Sequence, residues 1–205
     1  MISASSTIIQ EIDAMRRAGL ASFAFFYCDS KDDQKKALHP LLSSMLVQLC
    51  DQSDAYCDVL SELYLAHHRG SQDPSDNALA QCLKLMLTLP GQAPVYIIID
   101  ALDKCPNMTG MPSPCDKVIE LVEDLVDLQV PSLRICITSR PEPDIHLVLD
   151  SLNFRFISLH GELGQMKDIA DYIKFVFDTD PKMRKWKPAD KKLAIKKLTE
   201  EADGM

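Results

Sequence analysis

The sequence predicts an α/β domain of three layers, a parallel sheet covered by helices on both faces. Three observations lead there. Short apolar runs of strand length alternate with stretches whose apolar residues recur every three or four positions, the order that gives parallel strands joined by helices. The run at 95–100, VYIIID, is apolar without alternation, rich in β-branched residues and free of helix breakers, so it needs cover on both faces and belongs at the centre of the sheet. Finally, 205 residues with 46% hydrophobic content suffice for one α/β domain with a substantial core.

Ile8, Ile9, Ile12 and Met15 fall at helical spacing and Gly19 follows in a C-cap position, which predicts a helix over 5–18. LASFAFFY predicts the first strand over 20–27. A charged loop, CDSKDDQKK, leads into a helix over 38–50 whose apolar face is Leu38, Leu41, Leu42, Met45, Leu46 and Leu49. Two more helices follow. Tyr56, Val59, Leu60, Leu63 and Tyr64 mark one, Leu79, Cys82, Leu83, Met86 and Leu87 the other, and GSQDPSD is the turn between them. Pro90 and Gly91 stop the last of these before the central strand. KCPNMTGMPSPC, with three prolines and a glycine, predicts a loop. Val118, Ile119, Leu121, Val122, Leu125 and Val126 form the face of another helix, and LRICIT is a strand over 133–138. A short helix over 143–150 joins it to a fourth strand over 154–159. Met166, Ile169, Ala170, Ile173, Val176 and Phe177 define a longer helix, and a last one begins near Pro188 with Leu193, Ala194 and Leu198 on one face.

A formal net charge of −8 works against polyanion binding, which depends on clustered Lys and Arg, so nucleic acid is not expected as a partner. The segment 182–197 carries eight Lys or Arg and one acid around Trp186, and in so acidic a chain it reads as a solvated helix face. Seven cysteines, odd in number and without CxxC spacing, read as reduced, mostly buried thiols of a cytoplasmic protein. Cys105 and Cys115 with His67 and His68 match no zinc spacing. There is no GxSxG elbow. No run reaches the length of a membrane span, and the first residues lack the pattern of a signal peptide, so no membrane is expected either.

The chemistry-bearing residues gather at the end of the central run. Ligands of parallel sheets bind outside the carboxyl ends of the strands, and there Asp100 stands, with Asp103 three residues on. Magnesium takes one or two carboxylate oxygens and fills its shell with water and phosphate, so an apolar strand ending in Asp has the form of a Walker B strand. Arg140, at the end of the next strand in RICITSRPE, carries a planar cation able to read a terminal phosphate in the same crevice; its structural alternative is a local pair with Glu142 or Asp144. A phosphate loop needs GxxxxGK(S/T), and none of the seven glycines precedes a lysine.

Taken together, SSTIIQEI, ASFAFFYCDSKDD, LLSSMLVQLC, VYIIIDALDKCP, LRICITSRPEPDI and KDIADYIKFVF resemble the NACHT-type NTPase domain of fungal NOD-like receptors, of the STAND class of P-loop NTPases, also described as nephrocystin-like N-terminal domains. The resemblance runs essentially end to end. It implies a three-layer parallel sheet of P-loop NTPase type, here lacking the P-loop strand, and a nucleotide state, ATP or GTP with Mg2+, that controls oligomerisation in signal transduction. By position, Asp100 resembles the magnesium-associated Walker B acid, Asp103 the second acid of that motif, and Arg140 the sensor arginine. Three departures stand out: the Walker A loop is absent, Lys104 occupies the place of the usual glutamate, and neither effector, winged helix nor repeats are present.

The resemblance divides the chain into a partial NACHT core without Walker A over 1–180 and a helical linker toward a winged-helix region over 181–205. The expected function is a partial or degenerate nucleotide-binding domain that does not hydrolyse ATP by itself. The alternative is a non-enzymatic interaction module that binds intact NACHT receptors. Expected partners are further copies of itself or other NACHT proteins, because the missing strand leaves two apolar sheet edges without their usual neighbour.

Overall fold

The computed structural model describes residues 4–29, 38–105, 113–140, 142–152, 154–157 and 163–200. The chain divides into two compact units, Met1–Asn153 and Phe154–Met205. In the first, the elements run α1 (Ala4–Arg17), β1 (Ser22–Tyr27), α2 (Leu38–Cys50), α3 (Asp54–Ala66), α4 (Asp76–Thr88), β2 (Val95–Asp100), α5 (Pro114–Asp127), β3 (Leu133–Ile137) and α6 (Pro143–Ser151). Among the described residues they form a mixed α/β fold around a three-stranded, all-parallel sheet of order β1-β2-β3, with the predicted central strand in the middle.

Local chemistry sets most element ends. After α1 the N–H of Gly19 bonds the Arg16 carbonyl and that of Leu20 bonds the Met15 carbonyl, a Schellman closure that needs Gly19 in its left-handed conformation (φ 71°). Leu20 is consumed by this cap and is exposed, which is why β1 begins at Ser22 and not at 20. Pro114, inside the predicted loop, instead opens α5: Ser113 accepts the Asp116 N–H while the Asp116 carboxylate accepts the Ser113 N–H, and a proline at the first helical position forgoes a donor the helix could not use. Residues 106–112 of that predicted loop lie outside the described residues.

The sheet's two faces follow from strand alternation. On one, Ile12 of α1 packs with Phe23 and Ile98, flanked by Ile8, Ile9, Phe25, Tyr96 and Cys136. On the other, Ile97 and Ile99 are fully buried. At the outer edge of β1 the backbone groups of Phe23 and Phe25 point away from β2, and α2 answers them with two side-chain amides. Gln52 accepts the Phe23 N–H at 2.9 Å and donates to the Phe23 carbonyl at 2.6 Å; Gln48 accepts the Phe25 N–H at 3.0 Å and donates to the Phe25 carbonyl at 2.8 Å. Two glutamines one helical turn apart thus substitute for a neighbouring strand.

The predicted fourth strand is not found as such. Phe154–Ile157 has no regular structure and pairs with no strand among the described residues, and 158–159 lie outside them. Its apolar alternation favours an extended chain, but a strand exists only where a neighbour completes its ladder. The second unit contains α7 (Leu163–Thr179), a 3-10 turn at Met183–Lys185 and α8 (Pro188–Glu200). Its anchor is Phe177, buried, with the Trp186 ring 5.6 Å away and Lys191 Nζ 5.7 Å over its own ring. Lys182, Arg184, Lys185, Lys187, Lys192, Lys196 and Lys197 are exposed, as a solvated basic face requires. No helix among the described residues is long and apolar enough to cross a membrane.

Candidate functional site

β2 carries Asp100 to the carboxyl end of the sheet, where its side chain falls on the same face as Tyr96 and Ile98. The chain then turns sharply. Ala101 adopts left-handed backbone angles (φ 56°, ψ 50°), uncommon for a residue with a Cβ and costing roughly 1–2 kcal/mol. Its N–H donates to Thr138 Oγ1 at 2.9 Å, and its carbonyl accepts the Lys104 N–H at 2.8 Å. A 3-10 turn, Leu102–Lys104, follows; Leu102 is fully buried and its N–H bonds the Thr138 carbonyl at 2.9 Å. The turn is therefore fastened to the end of β3.

Thr138 organises the site. Its hydroxyl accepts from Ala101 and donates to Asp100 Oδ1 at 2.5 Å, so one side chain holds both the turn and the first acid. Among the described residues Asp100 Oδ2 has no hydrogen-bond partner. Asp103, with only 5% of its side chain exposed, is engaged on both oxygens: Oδ1 accepts the Arg140 N–H at 3.1 Å, and Oδ2 lies 3.4 Å from Lys104 Nζ and 3.6 Å from Arg140 Nε. The structure thus brings Asp100, Asp103 and Arg140 together at the ends of adjacent strands. Arg140 pairs neither with Glu142 nor with Asp144 but with the acid 37 residues earlier. Its side chain is two-thirds exposed, so that ion pair contributes little stability in water.

Beneath the acids lie thiols. The Cys28 N–H bonds the Asp100 carbonyl at 2.9 Å, and the buried Cys28 and Cys105 thiols interact with one another. The interaction with Cys105, aided by burial, holds Cys28 well above the ordinary thiol range, while the same interaction draws Cys105 below it. Burial pushes Cys115 up to about 12, and burial with the Asp100 charge raises Cys136. All seven cysteines are free, and Cys28, Cys82, Cys105 and Cys115 are buried; the last two belong to the stretch predicted as a loop.

Among the described residues no three His, Cys, Asp or Glu side chains converge as a metal cage. Magnesium asks less of a protein, one or two carboxylates with water and phosphate completing the shell. Asp100, with one oxygen uncommitted among the described residues, fits that share; Asp103, buried and occupied by two cations, offers no second ligand in this arrangement. Thr138 is not singled out by the sequence. Its place one residue past the partner of Ile99 becomes visible only from the β2–β3 register, Ile99 opposite Ile137.

The family described as Nephrocystin 3, N-terminal, matches residues 3–140, a span that includes Asp100, Asp103, Thr138 and Arg140. No curated protein matches the chain.

Proposed function

The chain belongs to the nephrocystin 3 N-terminal family, and from that membership we propose that it is a NACHT-type nucleotide-binding core of a signal-transducing NTPase, with Asp100 as its magnesium acid. The observation that carries the reading is the Thr138–Asp100 hydrogen bond, which orients a carboxylate at the carboxyl end of the central parallel strand and leaves one oxygen open. Asp103 is the second acid and holds Arg140 at the crevice through the backbone N–H and the guanidinium, where the arginine can exchange its carboxylate partner for a phosphate. Bound with ATP or GTP, Mg2+ would neutralise phosphate charge beside Asp100.

Hydrolysis by these 205 residues alone is not part of the proposal. They contain no GxxxxGK(S/T) segment, and Lys104 puts a cation where water activation calls for a carboxylate. Each preorganised donor lost costs about 100-fold or more in rate. The expected result is a rise in melting temperature of the wild type with magnesium and ATP or GTP, absent in Asp100→Asn, and no phosphate release by either. Equal responses of the two proteins would remove Asp100 from the site. Phosphate release that Asp100→Asn abolishes would show that the loop is dispensable.

A second reading, an interaction module for like domains, is favoured by the outer edge of β3. No strand pairs with it among the described residues, and by alternation Ile135 and Ile137 direct their N–H and C=O groups outward. The outcome expected from it is concentration-dependent association in light scattering. A strictly monomeric chain at all concentrations tested, melting sharply, would discard it.

A further inference from the structure

Cys57 is exposed, in contrast to the other six cysteines, and it has a thiol neighbour. Cys50 ends α2 and Cys57 lies in the first turns of α3, so the corner between the helices folds one onto the other. Cys57 Sγ donates to the Cys50 carbonyl at 3.1 Å, and Cys50 Sγ donates to the Tyr56 carbonyl at 3.4 Å. Each sulfur therefore rests on backbone at or beside the other residue. Both line an apolar cavity of about 430 Å³, with Val47, Leu60 and Tyr64 among its walls. Cys28 and Cys105 also interact, but both are buried and out of reach of a solute.

We propose that Cys57 and Cys50 form a peroxide-modification site, in which the accessible Cys57 is oxidised first and Cys50 resolves it to a disulfide. The Cys57 sulfur attacks one oxygen of hydrogen peroxide; the O–O bond breaks, Cys57 becomes a sulfenic acid, and the other oxygen leaves as water with the thiol proton. The Cys50 sulfur then attacks the Cys57 sulfur, the S–O bond breaks, and the hydroxyl leaves as a second water with the Cys50 proton. Two thiols lose two electrons and two hydrogens, and one peroxide is reduced to two waters. Burial, with Cys57 beside it, pushes the Cys50 thiol up to about 12, so the exposed Cys57 is the sulfur that meets peroxide first.

The test uses the purified full chain, treated with hydrogen peroxide, blocked with N-ethylmaleimide and analysed by intact mass and peptide mapping. Free thiols are expected to fall from seven to five, with a Cys50–Cys57 cross-link that dithiothreitol reverses. In Cys50→Ser, dimedone should label Cys57 without a disulfide; in Cys57→Ser the six remaining thiols should persist. Thiol loss from Cys57→Ser at the wild-type rate, a cross-link between other cysteines, or seven intact thiols in folded, peroxide-treated wild type would each overturn the proposal. Should either variant fail to fold by circular dichroism, the wild-type cross-link map decides the matter.

Discussion

Leu102→Ala is expected to lower the free energy of unfolding by roughly 2–5 kcal/mol, the range for truncating a fully buried leucine. Its position makes the loss more than a cavity. Leu102 is the only fully buried side chain of the turn that separates the two acids, and the left-handed Ala101 before it persists because the surroundings impose that conformation. Without the leucine, the turn keeps its backbone bonds to Thr138 but loses the packing that seats it. Asp100 and Asp103 should then lose their fixed spacing. Leu102→Met conserves volume and should cost below about 1.5 kcal/mol. Urea unfolding of the three proteins checks this, and any nucleotide-dependent rise in melting temperature should vanish in Leu102→Ala ahead of the fold. A cost for the alanine variant no greater than for methionine would mean that Leu102 does not seat the turn.

Gln48→Leu combined with Gln52→Leu is expected to have the second large effect. Each amide answers one backbone donor and one backbone acceptor at the outer edge of β1. Leucine keeps bulk and helix propensity but leaves those groups without partners, at roughly 1–3 kcal/mol for each unsatisfied group buried from water. The edge also becomes a template for another strand. Lower stability with new aggregation in light scattering is the expected pair of readings. Single variants should each show part of the loss, and because Gln52 Nε2 also donates to the Gln48 carbonyl at 2.6 Å, the two should not add independently. A double variant as stable as the wild type would show that water replaces the amides without cost.

Sequence determined the parallel order of strands and helices, the central place of 95–100, the bounds of α2 and the burial of most cysteines, since these depend on apolar periodicity, run length and the cover a doubly buried strand requires. It also marked Asp100, Asp103 and Arg140 as residues at strand ends. Only tertiary structure decided what they touch. Thr138 meets Asp100 because β3 lies beside β2 in one particular register, and Arg140 reaches Asp103 because a buried leucine turns the chain back toward β3. Gln48 and Gln52 look like ordinary polar positions of an amphipathic helix until α2 is set against an edge whose alternate N–H and C=O groups need partners. Residues 154–157 of the predicted fourth strand form none among the described residues for the same reason: alternation favours an extended chain, but hydrogen bonds to a neighbour make it a strand, and the choice of neighbour is not a local property.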